Sequence, residues 1–176
     1  MSVHAFVDES RRGGNYLVAV ALLDPAELSV VRASLRKLCL PGQRRIHFKD
    51  ERDSRRREVL ARIVESSARG LVYSCRGPEA RAREACLRRM MADFTERDVQ
   101  RLVLESRQGR DKDDERALRD VLGKRPSDAG LTYEHLRPHE DPLLWLPDAI
   151  AWCVGAGEDW LRRIQPLLDC VRRIDL

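Results

Sequence analysis

The sequence lacks most of the short motifs that announce a familiar chemistry. It contains no G-x-G-x-x-G, no G-x-x-x-x-G-K-[ST] and no G-x-S-x-G. Their absence removes the usual glycine-rich cradles for nucleotide phosphates and the serine elbow of many hydrolases. No apolar run approaches the roughly 20 residues of a membrane span, so no membrane partner is expected. The five cysteines (Cys39, Cys75, Cys86, Cys153 and Cys170) form no C-x-x-C pair. Their odd number and apolar settings read as reduced, mostly buried thiols, and no structural zinc site is expected. The first residues run straight into an apparent core strand, which predicts no signal peptide and a cytoplasmic protein. Repeats and low-complexity segments are also missing.

Lysine is scarce too. Of 33 basic residues, only Lys37, Lys49, Lys112 and Lys124 are lysine. The net charge of +4 permits a nucleic-acid partner, and arginine suits phosphate by its planar fork. Genomic base composition gives the same arginine bias, so the count alone decides nothing. What is present fits one soluble domain, with 176 residues, 43% hydrophobic and 35% charged.

The apolar patterning predicts strands over 3–9 and 15–23, joined as a hairpin by a loop longer than two residues. Asp24-Pro25-Ala26-Glu27 has the chemistry of a helix start, and apolar spacing carries that helix to about Cys39. Arg45 to Phe48 reads as a short strand. A helix follows from about Asp53 to Ala68, then a strand from Leu71 to Cys75, a helix from Glu79 to Phe94 and a strand from Asp98 to Leu104. Ser106 to Asp114 is polar and reads as mobile. A short helix from Glu115 to Leu122 and a linker lead to a strand from Leu131 to Leu136. The apolar helix from Leu143 to about Val154 holds Pro147, which is tolerable only in a first turn or at a kink. Residues 159–174 read as an amphipathic covering helix. An early hairpin followed by alternating strands and helices predicts an α/β fold, a mixed sheet with helices on both faces.

The candidate chemistry lies in acids at the edges of apolar segments. Phe6-Val7-Asp8-Glu9-Ser10 ends a strand in two carboxylates. Leu102-Val103-Leu104-Glu105 ends another, and Asp148 interrupts the apolar helix between Pro147 and Ala149. A buried carboxylate must be paired, hydrogen-bonded or metal-bound. Singly, each of the three acids can pair with an arginine such as Arg107 or Arg110. Together, three carboxylates from distant segments can form a site for Mg²⁺ or Mn²⁺, hard cations that bind oxygen and keep water and substrate phosphate as ligands. His47 and Lys49, at alternate positions around Phe48, are expected on one strand face, where His47 can position water or phosphate and Lys49 can neutralise phosphate charge. Glu9, Asp50, Glu51, Asp111 and Asp113 are the candidates for a fourth acid. His4, His135 and His139 show no ligand spacing and read as structural.

These segments, in this order, resemble the bacterial domain-of-unknown-function 3800 family, which is regarded as ribonuclease-H-like. Val7-Asp8-Glu9-Ser10 matches its opening motif, Ile46-His47-Phe48-Lys49 its histidine segment, Leu104-Glu105 its acid-ended strand and Pro147-Asp148 its closing motif. The resemblance covers roughly residues 3–155 of a single domain spanning 1–176. Trp145 stands where the family often has glutamine and Pro147 where it has alanine, so no role of that glutamine carries over. The resemblance implies a ribonuclease-H-like mixed sheet and a metal-dependent nuclease that hydrolyses phosphodiester bonds of RNA or DNA, with two ions when substrate is bound. It implies Asp8, Glu105, Asp148 and Glu51 as metal ligands, with Glu9 and His47 joining the catalytic set. Ser10, Lys49 and Arg107 are expected to bind substrate. Two alternatives stay open: a non-catalytic module of the same fold that binds nucleic acid or a protein, and acids that are all paired structurally with arginine.

Overall fold

The computed structural model describes residues 2–107, 109, 111–124 and 126–176. Six strands form one sheet. They are β1 (Val3–Arg12), β2 (Asn15–Leu23), β3 (Arg69–Arg76), β4 (Val99–Glu105), β5 (Thr132–Leu136) and β6 (Leu168–Ile174), in the order β5-β4-β1-β2-β3-β6. β1, β2 and β3 pair antiparallel, whereas β4 on β1, β5 on β4 and β6 on β3 are parallel. The helices are α1 (Leu28–Arg36), α2 (Asp53–Val64), α3 (Glu79–Glu96), α4 (Asp111–Leu122), α5 (Trp145–Ala156) and α6 (Glu158–Ile164). The fold is the mixed α/β sheet with helices on both faces that the patterning predicts. Among the described residues no helix is long and apolar enough to cross a membrane.

Alternation along the central strands divides the core in two. Phe6, Ala19, Ala21 and Val103 pack with residues of α1, α2 and α5. Val7, Val18, Val20 and Leu104 face the other way, with Leu87, Met90 and Phe94 of α3. Successive strand side chains point to opposite faces, so a strand buried on both sides reads as a continuous apolar run. That is what β2 shows from Tyr16 to Leu23, all buried.

Several local expectations meet physical corrections. The β1–β2 connection is only two residues long: Arg12 pairs with Asn15, and Gly13 and Gly14 have φ of 56° and 79°. A two-residue hairpin turn of this kind needs positive φ at both positions, which glycine adopts without strain. Residues 43–47 form no strand. They run irregularly into a 3₁₀ turn, Phe48–Asp50, so His47 and Lys49 do not share a pleated face. Asp111 already belongs to α4, so helix replaces much of the stretch expected to be mobile, while Gln108 and Arg110 lie outside the described residues. Pro147 is the third residue of α5, in the first turn, where its missing N–H costs nothing.

The largest correction is at the C-terminus. Residues 159–174 are not one covering helix: α6 ends at Ile164, and Leu168–Ile174 is strand β6, added parallel to β3. Gly70 of β3 permits that approach, since a Cβ there would lie 2.8 Å from Leu168 Cδ2. Asp93 of α3, buried to 2% exposure, pins the strand. Its Oδ2 accepts from Tyr73 Oη of β3 at 2.9 Å and from Arg172 Nε of β6 at 2.8 Å. Arg89 Nη2 is 3.0 Å from Oδ1, but at an angle that leaves that oxygen without a hydrogen bond. Removing one partner of a buried charge network costs about 3–5 kcal/mol. Asp93→Ala is therefore expected to lower stability in urea denaturation by about 3 kcal/mol, and an unchanged midpoint would show that β6 is held by its backbone pairing alone.

Candidate active site

Strand register brings two of the predicted acids together. Val7 of β1 pairs with Leu104 of β4 in parallel, so the next residues, Asp8 and Glu105, stand side by side. Both lie on the face of Phe6 and Val103, and α5 crosses that face. Asp148 is in the first turn of α5 and joins the pair from above. All three are largely buried. Burial pushes the Asp8 carboxyl well above the usual carboxylate range, and the charges of Glu105 and Asp148 push it further. Glu105 is raised by burial and then by Asp148, and Asp148 is raised by burial. Each acid therefore resists ionisation beside the others.

The protein offsets this unevenly. Asp8 Oδ1 accepts from Glu9 N at 2.7 Å, with Arg107 Nη2 3.7 Å away. Asp148 Oδ2 accepts from Phe48 N at 2.8 Å, and His47 Nε2 lies 3.9 Å from its Oδ1. Among the described residues no donor hydrogen-bonds the Glu105 carboxylate; Arg107, Arg45 and His47 act on it through charge alone. Phe48 holds the histidine segment in place. Its ring is fully buried against Trp152 and Trp160, at centroid distances of 5.3 and 6.4 Å. Arg56 Nε donates to its carbonyl at 2.8 Å.

The other predicted residues divide. His47 is at this site, with Nδ1 2.7 Å from Asp50 Oδ2. Ser10 follows Asp8 on the same strand face, Lys49 lies exposed on the 3₁₀ turn, and Arg107 reaches Asp8. Glu9 does not join the acids, because the two-residue period of β1 turns it to the opposite face. There Arg83 Nε donates to it at 3.1 Å, the Tyr16 hydroxyl also donates, and Arg107 Nη1 lies 3.5 Å away. Glu51 is engaged by Gln43 Nε2 at 2.6 Å instead. Arg45 was read only as part of a strand, yet its charge bears on Glu105 and Asp148.

A second group, on the Glu9 face, was not anticipated. Ligand atoms of Asp111, Asp114 and His135 lie within 4.8 Å of one another, a spacing that could hold a metal ion. The i, i+3 spacing of the two aspartates was the signal available in the sequence. Their donor atoms are already occupied. Asp111 accepts from Ser106 Oγ at 2.8 Å and Arg107 N at 3.0 Å, while Asp114 is bound by Arg83 and lies 2.9 Å from His135 Nε2. A cation here must displace those partners.

No protein-family model matches the chain, and no curated protein matches it. Among solved structures, it is similar to a chain in the structure of the PCNA:RNase HII complex from Archaeoglobus fulgidus. The TM-score is 0.52 at 18% sequence identity, covering 95% of this chain and 76% of that one. The fold is ribonuclease-H-like: a mixed six-stranded sheet with helices on both faces.

The raised carboxyls have a thermodynamic consequence. A group whose folded pKa exceeds its unfolded value contributes stability that is present below the unfolded value and lost as pH rises through the folded one. In EDTA, Asp8→Asn removes one repelling charge and keeps an acceptor for Glu9 N. It is expected to unfold at higher temperature than wild type, by roughly 2–4 °C per kcal/mol for a chain of this size. The gap should widen from about pH 5 to about pH 8, as wild-type carboxyls ionise. A gap that narrows with pH would mean that the arginines already neutralise the site.

Proposed function

We propose that this protein is a divalent-metal-dependent nuclease that hydrolyses phosphodiester bonds of nucleic acid at Asp8, Glu105 and Asp148. One observation carries the reading. Three largely buried carboxylates from three separate elements meet on one sheet face with their charges unbalanced, and Glu105 has no hydrogen-bond donor among the described residues. The donor set is all oxygen, which fits Mg²⁺ or Mn²⁺. The ribonuclease-H-like fold and the resemblance to the domain-of-unknown-function 3800 family support the same reading, as analogy.

Asp8, Glu105 and Asp148 would hold the metal. When bound, divalent ions in such a site supply an activated water and stabilise the leaving oxygen of the phosphodiester. The chain's own residues do the rest. Glu9 N and Phe48 N fix one oxygen each of Asp8 and Asp148, leaving their second oxygens for a cation. His47, oriented by Asp50, presents its Nε2 toward Asp148 and can hold a water or a phosphate oxygen there. Arg45 and Arg107 place positive charge around the acids, where a substrate phosphate needs it, and Lys49 lies exposed on the adjoining turn beside Asp50. Glu9 contributes by engaging Arg83 and Arg107 from the far face rather than by touching substrate.

The test combines cleavage with metal binding. Wild type is expected to cut labelled RNA, DNA or hybrid strands in Mg²⁺ or Mn²⁺ and to stop in EDTA. Glu105→Gln should lose activity by roughly 100-fold or more, since it removes a ligand rather than a bystander. Metal should raise the melting temperature of wild type but not of the variant. Metal-dependent stabilisation without cleavage of any of the three would instead mark a non-catalytic module of this fold.

A further inference from the structure

The sheet face that carries Asp8 does not end at the acids. Four residues farther along β1, Arg12 pairs with Asn15 of β2, and Asn15 in turn pairs with Arg76 of β3. One row nearer Asp8, Ser74 of β3 pairs with Arg173 of β6. These side chains line an open trough of about 700 Å³ between the sheet and the C-terminal end of α5. Gly155 of α5 leaves room for Arg12, since a Cβ there would lie 3.0 Å from Arg12 Cδ. The Arg12 guanidinium can thus lie over Trp152, 5.7 Å from the ring centroid.

Positive charge in this trough is not matched by carboxylates as it is at several other arginines. Arg11, Arg32, Arg55, Arg62 and Arg88 all sit in ion pairs. Arg12, Arg76 and Arg173 are exposed, and among the described residues no carboxylate lies within ion-pairing distance of any of them. Asp175 is the one acid among the described lining residues. Three unpaired guanidinium groups along one wall favour a polyanion. No aromatic side chain lines the trough, so the aromatic platforms on which single-strand binders stack bases are missing from it. The chemistry left is contact with phosphate and sugar, which positions a duplex without reading its sequence. At about 3.3 Å per residue, Arg12 stands about 13 Å from Asp8 along the strand, or about four base steps of one strand.

We propose that the trough of Arg12, Arg76 and Arg173 holds the sugar–phosphate backbone of duplex nucleic acid and leads it to the acids. Its role as an approach rests on the nuclease reading above; its binding does not depend on cleavage. The test is fluorescence anisotropy in EDTA with a labelled DNA duplex of about 20 base pairs, across a salt series. Arg76→Glu/Arg173→Glu is expected to bind at least tenfold more weakly than wild type. The slope of log affinity against log salt should become shallower by about two, one per lost phosphate contact. Arg76→Gln/Arg173→Gln should shift it the same way by less. Arg36→Glu/Arg81→Glu, which makes the same change in net charge away from the trough, should bind within about threefold of wild type.

Equal loss in the trough and control pairs would reduce the effect to net charge and overturn the proposal. So would absence of duplex binding by wild type, or a trough that binds polyglutamate as well as duplex. The two readings fail separately. A wild type that cleaves, with trough variants that bind normally, removes the trough and keeps the nuclease. Trough-dependent binding by a protein that never cleaves does the reverse.

Discussion

Parallel pairing of β1 with β4 is the constraint on which the rest depends. It sets Asp8, midway along β1, beside Glu105 at the end of β4, and the residues before each are wholly buried. Neither acid can retreat to solvent without slipping register, and a one-residue slip would turn every core side chain of the strand outward. The core therefore holds the carboxylates in place against their own repulsion. α5 adds Asp148, and it is itself tied down twice: Asp141, at its entrance, caps the preceding turn through Leu143 N at 3.0 Å and receives a two-pronged contact from Arg32 of α1.

The two faces of β1 make opposite use of similar residues. Asp8 and Glu9 are neighbours in sequence, yet one step of the strand period separates an acid whose charge is opposed by its surroundings from one that is fully engaged. On the Glu9 face, Arg83 joins Glu9 to Asp114, Asp114 meets His135, and the Tyr16 hydroxyl closes the group. Arg107 binds the two faces together: its Nη2 donates to the Glu9 carbonyl at 2.8 Å while remaining near Asp8. Pairing on one face supports the stretch of β1 that holds Asp8 on the other.

Much of this was legible because burial leaves a strong mark in sequence. Asp148 stood out as a charge in a helix otherwise apolar, and Asp8 and Glu105 as acids closing apolar strands. What escaped was decided by pairing at a distance. Leu168, Val171 and Ile174 recur every three residues, a spacing closer to a helix than to the two-residue period of a strand; docking on β3, with Gly70 and Asp93 prepared for it, overrides it. Arg45 to Phe48 has strand-like residues but no partner strand, and Phe48 finds its place against Trp152 and Trp160 instead. Glu9 looked like a companion of Asp8 because adjacency in sequence is visible and the face it takes was not weighed. The Asp111–Asp114–His135 group needed the β4–β5 pairing and the α4 start, neither of which composition reveals.

The C-terminal strand changes the meaning of the molecule more than its helical alternative would. A covering helix would close the sheet and hide the face beyond Asp8. An edge strand extends that face by one more ladder and places Arg173 beside Ser74 at its margin. Arg172, one residue earlier, points through the sheet to Asp93 because strand side chains alternate. Two adjacent arginines thus do different work: one is bound by a buried carboxylate and fixes the strand, and the other is left unpaired because its neighbour has fixed it there. The stability of β6 and the charge of the trough are consequences of one alternation, so a substitution that loosens Arg172 from Asp93 should also disperse the positive wall that Arg173 completes.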